Sequence, residues 1–193
     1  MTIEVTGTGD GRVAWGFDPF PAHPLDGLAF TASIVRPAPI LEPASSARSS
    51  GPDSTPAGRG QPAHPNGITG IDHVVVATGD AERTSSAFQA AGLELRRERA
   101  TTMAGEAMLQ RFFWAGDVII ELVAPAEANG GPASIWGIAC TSPDIDATVA
   151  WWGPDRCAPA RVAVQAGRRI ASLRTRALGI STRIAVMSPH TKS

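Results

Sequence analysis

Two patterns of hydrophobic positions alternate along residues 67–190. Residues 71–78 are rich in β-branched and apolar residues, which predicts a buried strand. In residues 81–91, apolar or small residues recur three and four positions apart, which predicts an amphipathic helix. Asp80 is the expected N-cap of this helix, and Gly92 is the expected residue just beyond its end.

Three further strands follow the helix, with turns predicted at Gly105 and Gly116. This part of the chain therefore has the order βαβββ. The predicted strands cover residues 93–101, 107–115 and 118–124.

The same order returns in the last third of the chain. Residues 134–141 predict a strand, and Ser142 before Pro143 predicts a helix start. An apolar stripe of Ile145, Val149 and Trp152 continues that helix to Gly153. Strands are predicted at residues 161–165, 169–175 and 182–188. The sequence thus predicts an α+β fold in which two βαβββ modules form curved mixed sheets around a cleft.

The first third of the chain has a different character. Residues 37–66 hold seven of the 16 prolines and only two large apolar residues, which predicts a mobile linker. Residues 1–36 contain short apolar patches that suit one or two strands, a docking arm or an unstructured segment. We therefore expect a largely disordered N-terminal extension before a domain at 67–190, with modules at about 68–126 and 133–190.

Charge and composition exclude several classes of protein. The chain carries 17 basic and 18 acidic residues, and this balance argues against a nucleic-acid partner. No apolar run is long enough for a membrane span, and the first residues do not resemble a secretory signal. We expect a cytoplasmic protein with a small-molecule partner. The arginines are scattered in sequence, so a surface role is the default for Arg96–Arg97 and Arg168–Arg169.

Two ionisable residues interrupt apolar strands at matching points of module one. His73 shares a strand face with Val75, and Glu121 shares one with Ile119 and Val123. Because such residues are costly to bury unpaired, we expect His73 and Glu121 to be partners. A divalent cation between them and a direct His–Glu contact are both open. His190 is either a third donor or an ordinary terminal histidine.

Three aromatic residues are candidates for binding a substrate. Phe112 and Trp114 share one face of a strand, and Trp136 lies on the first strand of module two. Such residues line small-molecule pockets, although the same pattern also suits a plain hydrophobic core.

Several stretches together resemble the vicinal oxygen chelate superfamily, which includes glyoxalase I, methylmalonyl-CoA epimerase, extradiol dioxygenases and bleomycin- or fosfomycin-resistance proteins. They are the strand IDHVVVA, the helix opening after Asp80, the closing strand VIIELVAP and the stretch WGIACTSPDIDATVAWWG. The resemblance implies a metal site on the sheet with His73 and Glu121 as ligands for Zn, Mn, Mg, Ni or Fe, and no organic cofactor. The matching module-two positions hold Trp136 and Ala185, which cannot bind a metal.

The resemblance implies a glyoxalase-like protein acting on a small organic molecule as a metal-dependent lyase, isomerase or dioxygenase. Without a metal, Glu121 is the candidate catalytic base. The alternative is a metal-independent protein that binds or sequesters a small molecule near Trp136, and a third hypothesis is a scaffold whose extension binds a partner. A homodimer that pairs module one with module one would collect two histidines and two glutamates; pairing within the chain is the other arrangement.

Overall fold

The computed structural model describes residues 2–4, 14–16, 26, 28, 64–116 and 118–190. In the N-terminal segment, strand β1 (Thr2–Glu4) pairs antiparallel with strand β2 (Ala14–Gly16). Most of residues 1–36 and almost all of the predicted linker lie outside the described residues, so the expected disorder of the extension stays a prediction.

Module one follows the predicted order. Its elements are β3 (Gly70–Ala77), α1 (Ala81–Ala90), β4 (Glu94–Met103), β5 (Glu106–Ala115) and β6 (Val118–Pro125). The carboxylate of Asp80 accepts a hydrogen bond from the backbone N–H of Arg83 at 3.0 Å, as an N-cap does. Gly92 has a φ of 86°, which allows the chain to leave the helix in the left-handed region.

Module two repeats the order with shorter outer strands. Its elements are β7 (Ser134–Thr141), α2 (Ile145–Trp152), β8 (Arg161–Val162), β9 (Arg169–Ser172), a 3₁₀ turn at Thr175–Leu178, and β10 (Arg183–Met187). The predicted helix start at Ser142 is wrong, because the Asp144 carboxylate accepts from the Ala147 N–H at 2.9 Å and caps the helix. The buried Ser142 hydroxyl instead bonds the Thr148 hydroxyl at 2.8 Å.

The two modules join in one mixed sheet of eight strands. The strand order is β4–β5–β6–β3–β7–β10–β9–β8. Within each module the first and last strands run parallel, as β3 with β6 and β7 with β10. The modules meet where β3 pairs antiparallel with β7. The predicted α+β fold of two βαβββ modules is confirmed, with both halves continuous through this pairing.

One face of the sheet carries α1 and the main hydrophobic core. Phe88 of α1 packs edge-to-face on Phe113, with ring centroids 5.3 Å apart. Because neighbouring residues of a strand point to opposite faces, His73 and Glu121 point away from this core, and we call their side of the sheet the site face. Val76, Ile120 and Leu122 complete the buried cluster around the two phenylalanines.

The pairing of β3 with β7 contains two irregularities. Ile71 and His73 pair with consecutive residues of β7, so Asp72 is an extra residue of β3. Val75 and Val76 are consecutive while their partners are two positions apart, so Trp136 is an extra residue of β7. Such bulges redirect side chains and are common next to functional sites.

A short part of the N-terminal segment contacts module one. Leu28 is only 4% exposed and belongs to the core cluster around Phe88. The Asp26 carboxylate accepts from Arg83 Nε at 2.5 Å and from the Thr84 hydroxyl. The docking-arm alternative for residues 1–36 stays a prediction.

No helix within the described ranges is long and apolar enough to cross a membrane.

Candidate functional site

His73 lies on the site face at the centre of the sheet. Its Nδ1 is 2.8 Å from Oδ1 of Asp72. An ionised carboxylate only accepts hydrogen bonds, so Nδ1 is the donor and carries the hydrogen. In the neutral imidazole, Nε2 then has the free lone pair, and it is this atom that faces Glu121.

Asp72 is held from its other side by Arg168. The guanidinium donates to both carboxylate oxygens, at 2.5 Å and 3.2 Å. It also donates to the Ser188 carbonyl at 2.8 Å and lies 3.0 Å from His190 Nε2. Burial alone raises the pKa of Asp72, but the hydrogen bonds and charges of His73 and Arg168 outweigh it and hold the pKa well below its usual range.

The expected surface role of Arg168 is wrong. Its side chain is only 1% exposed, because the Asp72 carboxylate and the Ser188 carbonyl provide the partners that a buried guanidinium needs. The neighbouring Arg169 does lie at the surface, where it pairs with Asp146 at 2.6 Å.

Glu121 lies on β6, the strand that pairs with the strand of His73. Its Oε2 is 3.9 Å from His73 Nε2, so the structure brings the two predicted partners together without a direct hydrogen bond. Gln110 donates to Glu121 Oε1 at 2.5 Å, and Arg99 donates to the Gln110 oxygen at 2.7 Å. Because Arg99 can only donate, it fixes the amide of Gln110 with its NH₂ toward Glu121.

Two cavities open on the site face, and His73 lines both. The first, which we call the module-one cavity, has a volume of about 220 Å³. It is lined by Asp72, His73, Phe112, Trp114, Glu121 and Arg168, among others. The second, the module-two cavity, has a volume of about 700 Å³ and includes Trp136, Ala139, Arg183 and Ala185 in its lining. The larger volume is in the range of small-molecule pockets.

The three predicted aromatic residues are divided between the two cavities, and each lies beside an arginine. Phe112 and Trp114 line the module-one cavity, whereas Trp136 lines the module-two cavity. The distances from the guanidinium carbon to the ring centroid are 6.0 Å for Arg96 on Trp114, 5.4 Å for Arg99 on Phe112 and 4.2 Å for Arg183 on Trp136. Their role in binding a substrate stays a prediction.

The strand register redefines which positions of the two modules correspond. In module one Val75 pairs with Glu121, and in module two Ala139 pairs with Ala185. Glu121 therefore corresponds to Ala185, as expected. His73, two residues before Val75, corresponds to Gly137, two residues before Ala139, rather than to Trp136. The extra residues Asp72 and Trp136 then correspond to each other.

The donor atoms of one chain do not fit a three-ligand metal centre. His73 and Glu121 are two donors, whereas catalytic zinc sites use three protein ligands. Gly137 and Ala185, at the corresponding positions of module two, have no donor side chain. Within the described part of the chain, no group of three or more His, Cys, Asp or Glu residues is placed to hold one ion. His190 contacts Arg168 instead.

Both edges of β3 are occupied within the chain, by β6 and by β7. A dimer that joined module one to module one through β3 would have to break the pairing of β3 with β7. In this structure, module one is paired with module two of the same chain. A homodimer through a different surface stays a prediction.

Four residues around the predicted pair were missed by sequence reasoning: Asp72, Arg99, Gln110 and Arg168. Only Asp72 left a signal, as a second ionisable residue beside His73 in an apolar strand. The other three lie far from His73 in sequence and reach the site only through strand pairing and the turn before β9.

The low pKa of Asp72 predicts how stability depends on pH. A carboxyl whose pKa is lowered by folding stabilises the protein above its unfolded pKa, and that contribution is lost as the pH falls toward the folded value. We expect the difference in unfolding free energy between wild type and Asp72→Asn to shrink as the pH falls below about 4. Urea unfolding of both proteins from pH 7 to pH 3 measures it. A constant difference would mean that the substitution acts through packing alone.

Comparisons with known proteins concern the fold. No protein-family model matches the sequence, and no curated protein matches it. The structure is similar to methylmalonyl-CoA epimerase from Mycobacterium tuberculosis, with 22% identity and a TM-score of 0.50, over 65% of this chain and 91% of the epimerase. A 4-hydroxymandelate synthase mutant from Streptomyces coelicolor is 15% identical, with a TM-score of 0.49 over 64% of this chain and 49% of the synthase. A glyoxalase I mutant from Zea mays is 13% identical, with a TM-score of 0.43 over 66% of this chain and 46% of the glyoxalase.

At these identities the similarity concerns architecture and does not carry an activity over to this chain. The match covers 91% of the epimerase. It covers 65% of this chain, which is about the length of residues 64–190. The expected resemblance in fold is thus confirmed. The chain has the fold of the vicinal oxygen chelate superfamily.

Proposed function

We propose that the protein binds a small organic molecule on the site face, where the two cavities meet, and that His73 transfers a proton to or from it. The observation that carries this proposal is the Asp72–His73–Glu121 arrangement, in which Nε2 of His73 faces a second carboxylate 3.9 Å away at the junction of both cavities. An oriented imidazole beside an accessible cavity is a typical general acid or base.

Asp72 acts as a positioning residue in this proposal. Its hydrogen bond to Nδ1 selects the tautomer in which Nε2 accepts a proton, and it stabilises the imidazolium once the proton has arrived. Arg168 keeps Asp72 ionised, so that the imidazole remains oriented over the ordinary pH range.

Glu121 is the second group able to move a proton. One of its oxygens is bound by Gln110, and the other points toward Nε2 of His73. A substrate placed beside the two side chains would have both bases on the same side, 3.9 Å apart, which suits moving a proton between neighbouring atoms next to a carbonyl group.

A divalent metal held by His73 and Glu121 is the alternative that the fold suggests. The 3.9 Å between Nε2 and Oε2 favours it in one respect, since two ligands about 2.1 Å from one ion lie within roughly 4 Å of each other. Such an ion would need further ligands from outside this chain. A third hypothesis is a binding protein that sequesters a small molecule without changing it.

Proton exchange tests the proposal without knowledge of the substrate. A panel of small 2-oxo acids, hydroxy ketones and their esters is incubated with the protein in D₂O, and loss of the C–H signal is followed by ¹H NMR. We expect exchange by wild type and a loss of about 100-fold or more in His73→Gln, which removes the base. His64→Gln is the matched control, because His64 is an exposed histidine away from the site face.

Each alternative has its own outcome in this experiment. If EDTA abolishes the exchange and one divalent ion restores it, the reaction depends on a metal and the metal-free proposal is wrong. Binding without exchange, equal in wild type and His73→Gln, would indicate a sequestering protein and contradict proton transfer. Equal exchange rates in His73→Gln and wild type would also contradict it.

A further inference from the structure

The module-two cavity has an excess of positively charged side chains. Arg161, Arg174, Arg176 and Arg183 line it, and no aspartate or glutamate does. The module-one cavity differs, because there Asp72 and Glu121 stand beside the arginines. The whole chain carries a net charge of -1, so a general excess of basic residues does not explain this concentration.

The four arginines are also without a carboxylate partner within the part of the chain that the structure describes. Among the described residues, the arginines with a carboxylate oxygen within 4.0 Å are Arg83, Arg96, Arg111, Arg168 and Arg169. None of the four in the module-two cavity is among them. Arg174 is fixed by donating from Nε to the Pro154 carbonyl at 3.2 Å, which leaves its terminal amino groups available.

Trp136 supplies a planar surface in the same cavity. The side chain is 37% exposed, and the bulge in β7 places it out of the regular alternation of the strand. Arg183 lies over its ring, with its guanidinium carbon 4.2 Å from the ring centroid. A flat ligand can therefore contact the indole while a negatively charged group on that ligand meets the guanidinium.

Small residues provide the room. Gly137, Ala139 and Ala185 lie on the cavity wall, two of them at the positions that correspond to His73 and Glu121 of module one. Where module one has ionisable side chains, module two has space for a ligand.

We propose that the module-two cavity binds the oxyanion group of a planar organic molecule, a phosphate or carboxylate held by these arginines with its ring beside Trp136. Guanidinium groups bind both oxyanions through paired N–H donors, and four of them that no carboxylate of the described residues pairs with favour a ligand with more than one negative charge. This inference rests on the proposed function for its assumption that the bound molecule also reaches His73, whereas anion binding itself does not require catalysis.

Calorimetric titrations with simple anions test the proposal. Pyrophosphate and succinate distinguish a phosphate site from a carboxylate site. We expect at least one of them to bind wild type, and its Kd to rise about tenfold in Arg183→Gln and in Arg174→Gln, since each removes a charged hydrogen-bond donor. Arg156→Gln is the matched control, because it removes the same charge from an exposed position that does not line the cavity.

A second comparison tests the planar part of the ligand. ADP is expected to bind more tightly than pyrophosphate, and Trp136→Leu is expected to remove that advantage while leaving pyrophosphate binding unchanged. No binding of either anion at millimolar concentration overturns the proposal. An equal loss in Arg156→Gln and Arg183→Gln also overturns it, because the effect would then come from net charge.

The two proposals fail in different ways. If pyrophosphate binds as expected while no compound exchanges protons in D₂O, the anion site stands and proton transfer falls. If proton exchange depends on His73 while neither anion binds, proton transfer stands and the anion site falls.

Discussion

Replacing Asp72 by asparagine is expected to lower the free energy of unfolding by about 3 to 5 kcal/mol, because it leaves a buried guanidinium without its counter-charge. The Arg168 side chain is 1% exposed, and Asp72 is the carboxylate that binds it, through two hydrogen bonds. Asparagine can replace the shape of the carboxylate but not its charge. Urea unfolding at pH 7, followed by tryptophan fluorescence and by circular dichroism, measures the loss.

Two further variants show whether charge is the cause. Asp146→Asn removes a carboxylate from Arg169 at the surface, where both side chains are exposed, and little change is expected. The double variant Asp72→Asn with Arg168→Met removes the buried charge altogether and should recover part of the lost stability. If the double variant is instead clearly less stable than Asp72→Asn, the buried charge of Arg168 is not what destabilises the single variant.

Replacing Leu28 by alanine is expected to lower the free energy of unfolding by about 3 kcal/mol, the usual cost of truncating a leucine in a hydrophobic core. Leu28 is 4% exposed and packs in the cluster formed by Phe88, Phe113 and their neighbours, although it lies far from them in sequence. The same urea unfolding measurement applies.

Leu178→Ala is the matched control for this prediction, since Leu178 is 50% exposed in module two. A small effect there and a large one at Leu28 would establish that the N-terminal segment stabilises module one. Equal, small effects at both positions would contradict a stabilising contact at Leu28. Digestion by trypsin should in that case remove the N-terminal segment without changing the melting temperature of the remaining domain.

Local pattern was sufficient to predict the helices and the inner strands. Helix α1 buries one face and shows the 3.6-residue period, whereas β3 and β6 contain apolar runs in which three consecutive residues are buried. The outer strands of module two were predicted too long. β8 ends at Val162, ahead of the turn that contains Gly167 with its φ of 74°, and β9 ends at Ser172, ahead of the 3₁₀ turn at Thr175–Leu178. An apolar pattern reveals neither turn.

The site was predictable only where the apolar strands were interrupted. His73 and Glu121 stood out because an ionisable residue in such a strand needs a partner. Their positioning residues did not. Gln110 is an uncharged residue of β5, and Arg168 lies just before β9, where a solvent-exposed side chain is the ordinary expectation. Likewise, the arginines of the module-two cavity are spread over residues 161–183 and meet only because β8, β9 and β10 lie side by side.

Strand pairing corrects the one displaced correspondence between the modules. An alignment of the two βαβββ sequences cannot place an unpaired extra residue without knowing the strand partners. The pairing of Val75 with Gly137 and of Val76 with Ile135 locates that residue at Trp136. His73 consequently corresponds to a glycine, and the indole of Trp136 projects from the position that corresponds to Asp72, the extra residue of β3.

The repeat is thus symmetric in its backbone but not in its side chains. The pairing of β3 with β7 joins the two halves of the site face. One half holds His73, Val75 and Glu121, and the other half holds Gly137, Ala139 and Ala185 at the corresponding positions. A molecule with two identical ends would meet an imidazole and a carboxylate at one end, and small side chains flanked by arginines at the other. Compound collections for this protein are therefore best filtered for heterobifunctional molecules, in which a compact, proton-donating head and a bulkier tail are chemically distinct.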